Sequence, residues 1–124
     1  MRSSSPRGSG VNRPGIDLSG YRSVWLFAMF DLPVDSTRRR REYARFRKFL
    51  IRSGFSMLQY SVYARYCRSE DSARSIRSDV RAALPPAGQV RLLNVTDRQF
   101  AKMEVFFGGK RHPAEDPPTQ IMLF

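Results

Sequence analysis

The feature that most restricts the fold is a run of seven apolar residues, VWLFAMF, at positions 24 to 30. Its length and its aromatic content are typical of a β-strand. Because no polar residue interrupts the run, we expect a central strand that is covered on both faces. Asp31 follows at once, and Pro33 then prevents the strand from continuing. The pattern therefore places one carboxylate at the end of a buried strand.

Two amphipathic helices are predicted downstream of this strand. Asp35 or Ser36 can cap the first helix, and Gly54 ends it. Ser69 is the predicted N-cap of the second helix, which ends before Pro85. The residues that helical periodicity directs toward a core are Tyr43, Phe46 and Leu50 in the first helix, and Ala73, Ile76 and Val80 in the second.

Further strands are predicted between and after the helices. Residues 55–66 indicate a kinked strand or a strand pair, residues 89–96 another strand, and residues 103–107 a short fifth one. This order is typical of an α+β, ferredoxin-like βαββαβ sandwich with an extra C-terminal edge strand. An added edge strand commonly completes the sheet of a neighbour, so we expect a homodimer.

The composition of the ends differs from that of the middle. Residues 1–21 form a basic tail rich in Ser, Gly and Pro that we expect to be flexible, and residues 22–107 form the folded domain. Residues 108–124 comprise a Pro-rich linker and a short apolar terminus. The predicted partner-docking residues of that terminus are Ile121, Met122, Leu123 and Phe124.

The charge favours a polyanionic partner. The 124 residues carry a formal net charge of +11, and 22 of them are Lys or Arg. Arginine dominates, and its planar fork of donors suits phosphate groups, so nucleic acid is the favoured partner class. No apolar stretch reaches the ~18 residues of a membrane span, which favours a cytoplasmic protein without a membrane partner. Cys67 is the only cysteine, so one chain cannot form an internal disulfide.

A basic stripe is predicted along the first helix. Its members recur at spacings of three and four, which places them nearly opposite the apolar face. Such a stripe is either a solvated face or a phosphate-binding surface, and the scarcity of interleaved acids favours binding. The stripe consists of Arg38, Arg41, Arg45, Lys48 and Arg52, and the second helix repeats the spacing more weakly with Arg74, Arg77 and Arg81.

Asp31 has two interpretations from its position alone. It can form the turn or cap the following helix, as aspartates often do. It can also be a ligand of a hard metal, since Mg²⁺ usually takes only one or two protein carboxylates and keeps several waters. In the second case, a two-fold axis would bring together the Asp31 residues of two protomers.

Several short strings occur together in the order seen in one known family. They are FDLP at 30–33, FRKFL at 46–50, GFSMLQYSVY at 54–63, LPPAGQV at 84–90 and VTDRQF at 95–100. Over about residues 22–110 the chain resembles the CRISPR-associated protein two family, the small subunit of spacer acquisition.

The resemblance implies a ferredoxin-like homodimer that bridges two dimers of the larger adaptation integrase and holds a prespacer DNA duplex. It also implies a metal-dependent endonuclease that cleaves single-stranded RNA or duplex DNA, with Asp31 as catalytic residue and Mg²⁺ ligand. A free-standing, toxin-like ribonuclease of the same fold is the alternative.

Overall fold

The computed structural model describes residues 22–118, and the predicted order of strands and helices recurs in it. The elements are β1 (Val24–Asp31), α1 (Thr37–Arg52), β2 (Ser56–Gln59), β3 (Val62–Cys67), α2 (Glu70–Ala82), β4 (Gln89–Thr96), α3 (Asp97–Ala101), β5 (Val105–Phe107) and β6 (Lys110–His112). Residues 55–66 are thus a strand pair rather than a single kinked strand.

The main sheet has the strand order β2-β3-β1-β4, and every neighbouring pair is antiparallel. This is the arrangement of the ferredoxin-like fold, so the predicted fold class is confirmed. The apolar run forms β1, which has a neighbour on each side. Because both of its faces are covered over most of their length, its residues need no polar alternation.

Side chains of α1 and α2 pack on one face of this sheet. Alternate residues of β1, from Val24 to Phe30, supply the sheet side of this core. Phe46, Leu50, Ala73 and Val80 are buried from the helices, and Tyr43 and Ile76 pack against them, so the predicted apolar faces are confirmed. Ser36 caps α1, its hydroxyl oxygen accepting a hydrogen bond from the Arg39 amide.

The opposite face of the sheet is covered at one end only. Phe100 of α3 stacks on Trp25, with ring centroids 3.9 Å apart and planes 10° from parallel. The Trp25 indole N–H also donates to the Asp97 carboxylate, at 3.0 Å. Farther along this face Leu93, opposite Phe27 in the middle of β1, is 50% exposed. We call this uncovered part, which carries Met29, Asp31, Gln89, Arg91 and Leu93, the open half-face.

The added C-terminal strand forms a separate hairpin. β5 pairs with β6 in a two-stranded sheet and with no edge of the main sheet. Gly108 and Gly109 make the turn with positive φ angles, as two-residue hairpin turns require. The hairpin therefore crosses the predicted boundary between residues 107 and 108, because its second strand lies in the predicted linker.

Parts of the two predicted terminal segments lie outside the described residues. The flexible tail at residues 1–21 lies outside the described residues, and so do the docking residues Ile121, Met122, Leu123 and Phe124. Within residues 22–118, no helix is both long and apolar enough to cross a membrane.

Candidate functional site

The predicted basic stripe lies along the outer side of α1. Burial of Phe46 and Leu50 fixes the rotation of the helix, so the opposite side turns to solvent. All five stripe residues, Arg38, Arg41, Arg45, Lys48 and Arg52, are exposed. The structure therefore brings these five predicted residues together on one surface.

The charges of this stripe lack compensation within residues 22–118. The only acidic residue of α1 is Glu42, and it pairs with Arg39, outside the stripe, at 3.0 Å. No ion pair reaches a stripe side chain from any other described residue. Arg41, Arg45, Lys48 and Arg52 line an open depression together with Ala44. Such a surface can bind a row of phosphates without reading bases.

The basic residues of α2 have different surroundings. Arg74 pairs with Asp71 at 2.8 Å. Arg77 is partly buried and donates to the Asn94 side-chain oxygen at 2.9 Å, which fastens α2 to β4. Arg81 is exposed. Two of the three predicted binding residues of α2 thus already have partners, so α1 is the stronger candidate surface.

Asp31 is exposed and lies at the end of β1, directly opposite Gln89 of β4. Gly88, with a φ of +94°, allows β4 to begin close to this turn. A Cβ atom at Gly88 would lie 2.8 Å from the Asp31 carbonyl oxygen and 2.7 Å from a Leu32 methyl group. A side chain at position 88 would therefore displace the turn that carries Asp31.

The side chains near Asp31 restrict the kind of metal ion that this site can hold. Within residues 22–118, no three His, Cys, Asp or Glu side chains come close enough to share an ion. A zinc-type cluster is thus absent from the described part. One exposed carboxylate beside the Gln89 amide fits Mg²⁺, which accepts few protein oxygens and retains water.

Sequence analysis missed Gln89 and Arg91 as neighbours of Asp31. Gln89 pairs with Asp31, and Arg91 pairs with Met29, the next β1 residue on the same face. Both are exposed. The signal was available, because in the predicted ferredoxin-like fold the strand at residues 89–96 begins beside the end of the first strand. To place Gln89 opposite Asp31, one must also know that β4 begins at Gln89. The preceding Gly88 indicates this boundary.

The aromatic residues and the histidine divide between core and surface. Tyr63 is 1% exposed and belongs to the core, whereas Tyr60 is 76% exposed in the turn before β3. Interaction with the nearby Tyr43 hydroxyl raises the pKa of Tyr60. His112 is exposed on the hairpin, with its ring 4.3 Å from that of Phe107. Because Tyr63 is buried, its ring cannot stack on a nucleic-acid base unless the domain unfolds.

Comparison with known proteins gives a consistent result. The family model described as CRISPR associated protein Cas2 matches residues 24–103. A protein of Parvibaculum lavamentivorans is 46% identical over 101 residues, which cover 82% of this chain and 100% of the relative. Relatives from Flavobacterium psychrophilum and Paracidovorax avenae are 39% and 40% identical over 107 residues, covering 86% of this chain and 93% and 99% of their own lengths. All three bear the name CRISPR-associated endoribonuclease Cas2.

Proposed function

Because the chain belongs to the CRISPR associated protein Cas2 family, which is part of the CRISPR adaptation machinery, we propose that it is the small subunit of a spacer-integration complex. In this role a homodimer bridges two dimers of the larger integrase and holds the middle of a prespacer DNA duplex. The observation that carries the proposal is the exposed basic stripe of α1, which no acidic side chain within residues 22–118 compensates.

The dimensions of the stripe suit a duplex backbone. From Arg38 to Arg52 the helix rises about 21 Å at its standard pitch. Successive phosphates of one DNA strand are about 3.4 Å apart along the axis, so the stripe extends along roughly six nucleotides. If the five cations neutralise five phosphates, the logarithm of the binding constant falls with the logarithm of salt concentration at a slope of about −4.5 per protomer. Sequence preference is not expected from contacts of this kind.

Reversing Arg38, Arg41 and Arg45 to Glu should abolish binding of short DNA duplexes, because attraction to phosphates becomes repulsion. Fluorescence anisotropy at several salt concentrations measures both the affinity and the slope. The control reverses Arg68, Arg98 and Lys102, three exposed cations outside α1, for the same change in net charge. Equal losses in both variants would reject the stripe and leave only a net-charge effect.

A second candidate function is metal-dependent endonuclease activity on single-stranded RNA. It is favoured by the exposed carboxylate of Asp31 at the open end of β1. When bound, Mg²⁺ would supply an activated water and charge stabilisation at the phosphate. Asp31 would hold the ion, and the Gln89 amide is placed to assist it. The names of the relatives agree with this activity.

Asp31→Asn should abolish Mg²⁺-dependent cleavage of single-stranded RNA and weaken binding of the metal alone, measured by calorimetry. The matched control is Asp35→Asn, which removes a charge from an exposed carboxylate four residues away. Cleavage by Asp31→Asn at the parent rate would assign the activity to a contaminant.

Isolation of the protein with the larger integrase subunit would separate the adaptation scaffold from a free-standing ribonuclease. The toxin-like alternative expects growth arrest on expression and no such complex. The scaffold expects the complex and normal growth. Growth arrest without a complex would therefore reject the scaffold role.

A further inference from the structure

We propose that Tyr60 is a stacking platform for an unpaired base of a single-stranded nucleic acid. This inference deepens the proposed endonuclease function and rests on it, because it places one nucleotide of the substrate at the Asp31 end of the sheet. The juxtaposition that carries it is a largely exposed aromatic ring in a turn that is hydrogen-bonded to the residue before Asp31.

The turn between β2 and β3 consists of Tyr60 and Ser61, and it is fastened to the central strand. The Phe30 amide donates a hydrogen bond to the Ser61 carbonyl oxygen, at 3.1 Å. Because β1 and β3 are antiparallel, Tyr60 and Asp31 are each the next residue beyond this bonded pair, at the same end of the sheet. A strand of nucleic acid at the Asp31 carboxylate therefore passes close to the Tyr60 ring.

The local structure does not account for a tyrosine at this position. Two-residue turns favour Gly, Asn, Asp, Pro or Ser, each for its backbone geometry or its short polar side chain. Ser61 meets this requirement with a φ of +62°, in the left-handed region. The Tyr60 ring has no such role, and with 76% of the residue exposed it contributes little to the burial of apolar surface. An exposed aromatic face is, however, what an unpaired base requires.

The Tyr60 side chain lies on the helix side of the sheet. Interaction with the Tyr43 hydroxyl raises the pKa of Tyr60. Tyr43 itself packs against the core beneath the helices, with its ring 6.0 Å from that of Phe30. The open half-face, which a second copy of the chain would cover in the homodimer, is on the opposite face of the sheet. The proposed dimer therefore does not cover the Tyr60 ring.

A cation suited to the phosphate of the stacked nucleotide lies close by. Arg47 is exposed and follows Tyr43 by one turn on the same side of α1, which places their Cβ atoms about 6 Å apart. No ion pair joins Arg47 to another residue in 22–118. Arg40, one turn earlier, instead donates to the Val34 carbonyl oxygen at 3.1 Å. An aromatic face beside an unpaired cation is the composition of surfaces that bind single strands.

The test compares full-length Tyr60→Leu with Tyr60→Phe. Phenylalanine keeps the aromatic face and loses only the hydroxyl, whereas leucine keeps an apolar side chain and loses the face. Binding of a labelled single-stranded RNA is measured in EDTA by fluorescence anisotropy. We expect Tyr60→Leu to weaken binding about tenfold and Tyr60→Phe to change it less than about twofold. Equal losses in the two variants would assign the effect to the hydroxyl and reject stacking.

An oligonucleotide of the same length without bases gives a readout that a structural role would not change. This abasic strand presents the same phosphates but nothing to stack, so the parent and Tyr60→Leu should bind it equally. The parent should bind the base-containing strand at least about tenfold more tightly than the abasic one. If Tyr60→Leu fails to fold, equal affinities of the parent for the two strands still overturn the inference.

The phosphate contact of Arg47 is tested through salt dependence. Loss of one phosphate contact in Arg47→Ala lowers the slope for single-stranded RNA by about 0.7, whereas Tyr60→Leu leaves the slope unchanged because it removes no charge. The matched control is Arg68→Ala, which removes an exposed arginine just beyond β3, at the far end of the sheet from the Tyr60 turn. An unchanged slope in Arg47→Ala would reject Arg47 as the phosphate contact.

The outcomes separate this inference from the proposed function. If Asp31→Asn loses cleavage while Tyr60→Leu binds single-stranded RNA as the parent does, the endonuclease assignment stands and the stacking platform is rejected. If Asp31→Asn cleaves normally while Tyr60→Leu loses affinity for the base-containing strand alone, the catalytic role of Asp31 is rejected and the platform stands. A parent protein that neither binds nor cleaves single-stranded RNA rejects both.

Discussion

Two serine side chains act on backbone amides that are close to them in the chain. Ser36 and Ser69 cap helices because their hydroxyls accept bonds from amides three residues ahead. The bond between Trp25 and Asp97 joins residues 72 positions apart, so no local pattern could predict it. The sequence did not predict Arg91 as a neighbour of Asp31 for the same reason, because only the pairing of β1 with β4 brings the two residues together.

Cys67 illustrates a residue whose chemistry depends on the fold. Burial raises the pKa of its thiol above the ordinary 9.0, and Arg65 and Arg77 oppose this effect only in part. As pH rises past 9.0, the unfolded chain loses the thiol proton first, so it binds fewer protons than the folded chain. The unfolding free energy should therefore fall with rising pH in this range.

The measurement is urea denaturation under reducing conditions at a series of alkaline pH values. Cys67→Ala removes the titrating group, so its stability should decline less steeply than that of the parent, although other groups titrate in both proteins. Parallel declines would mean that the thiol ionises equally easily in the folded and unfolded chains.

The length of each helix determined whether its residue pattern could be recognised in the sequence. The 16 residues of α1 and the 13 of α2 show helical periodicity clearly. The five residues of α3 span little more than one turn, which is too short for a pattern. A signal was nevertheless present, because Thr96 and Gln99 form a capping box. Gly108 and Gly109 similarly indicate a hairpin turn, although the surrounding polar residues favoured a linker.

The N-cap of α2 gives a test at this scale. Ser69→Ala should lower the unfolding free energy by about 1 kcal/mol, because the Ser72 amide loses its acceptor. Ser78→Ala is the matched control inside the same helix, where the exposed side chain has no capping role and alanine is the better helix former. That control should gain up to about 0.5 kcal/mol. Denaturant midpoints measure both, and changes of the same sign would refute the capping role.

At the scale of the whole molecule, the open half-face lies beside the covered end of the sheet. The sequence predicted the fold class, but it could not predict that Phe100 would cover only the end of this face near Trp25 and Phe27, since that depends on where α3 begins. Leu93 remains half exposed opposite Phe27, four residues along β4 from Gln89, which pairs with Asp31. A second copy of the chain is the proposed cover, in keeping with the homodimer of the proposed function.

Leu93→Glu should convert the dimer to a monomer, because it would bury a carboxylate in an apolar contact. Sedimentation velocity measures the mass. Leu84→Glu is the control, since Leu84 is 45% exposed just beyond the C-cap of α2, where it lies beside residues of α1 on the helix side of the sheet. A Leu93→Glu protein that remains dimeric would place the dimer contact elsewhere.

The pairing of Glu42 with Arg39 leaves α1 unable to balance its own positive charge. Its like charges at spacings of three and four oppose helix formation by roughly 1 to 2 kcal/mol in total at low ionic strength. Anything that neutralises them, whether dissolved salt or a nucleic acid, therefore also stabilises the native state. The protein should therefore unfold at a lower temperature in dilute buffer than at moderate salt concentration.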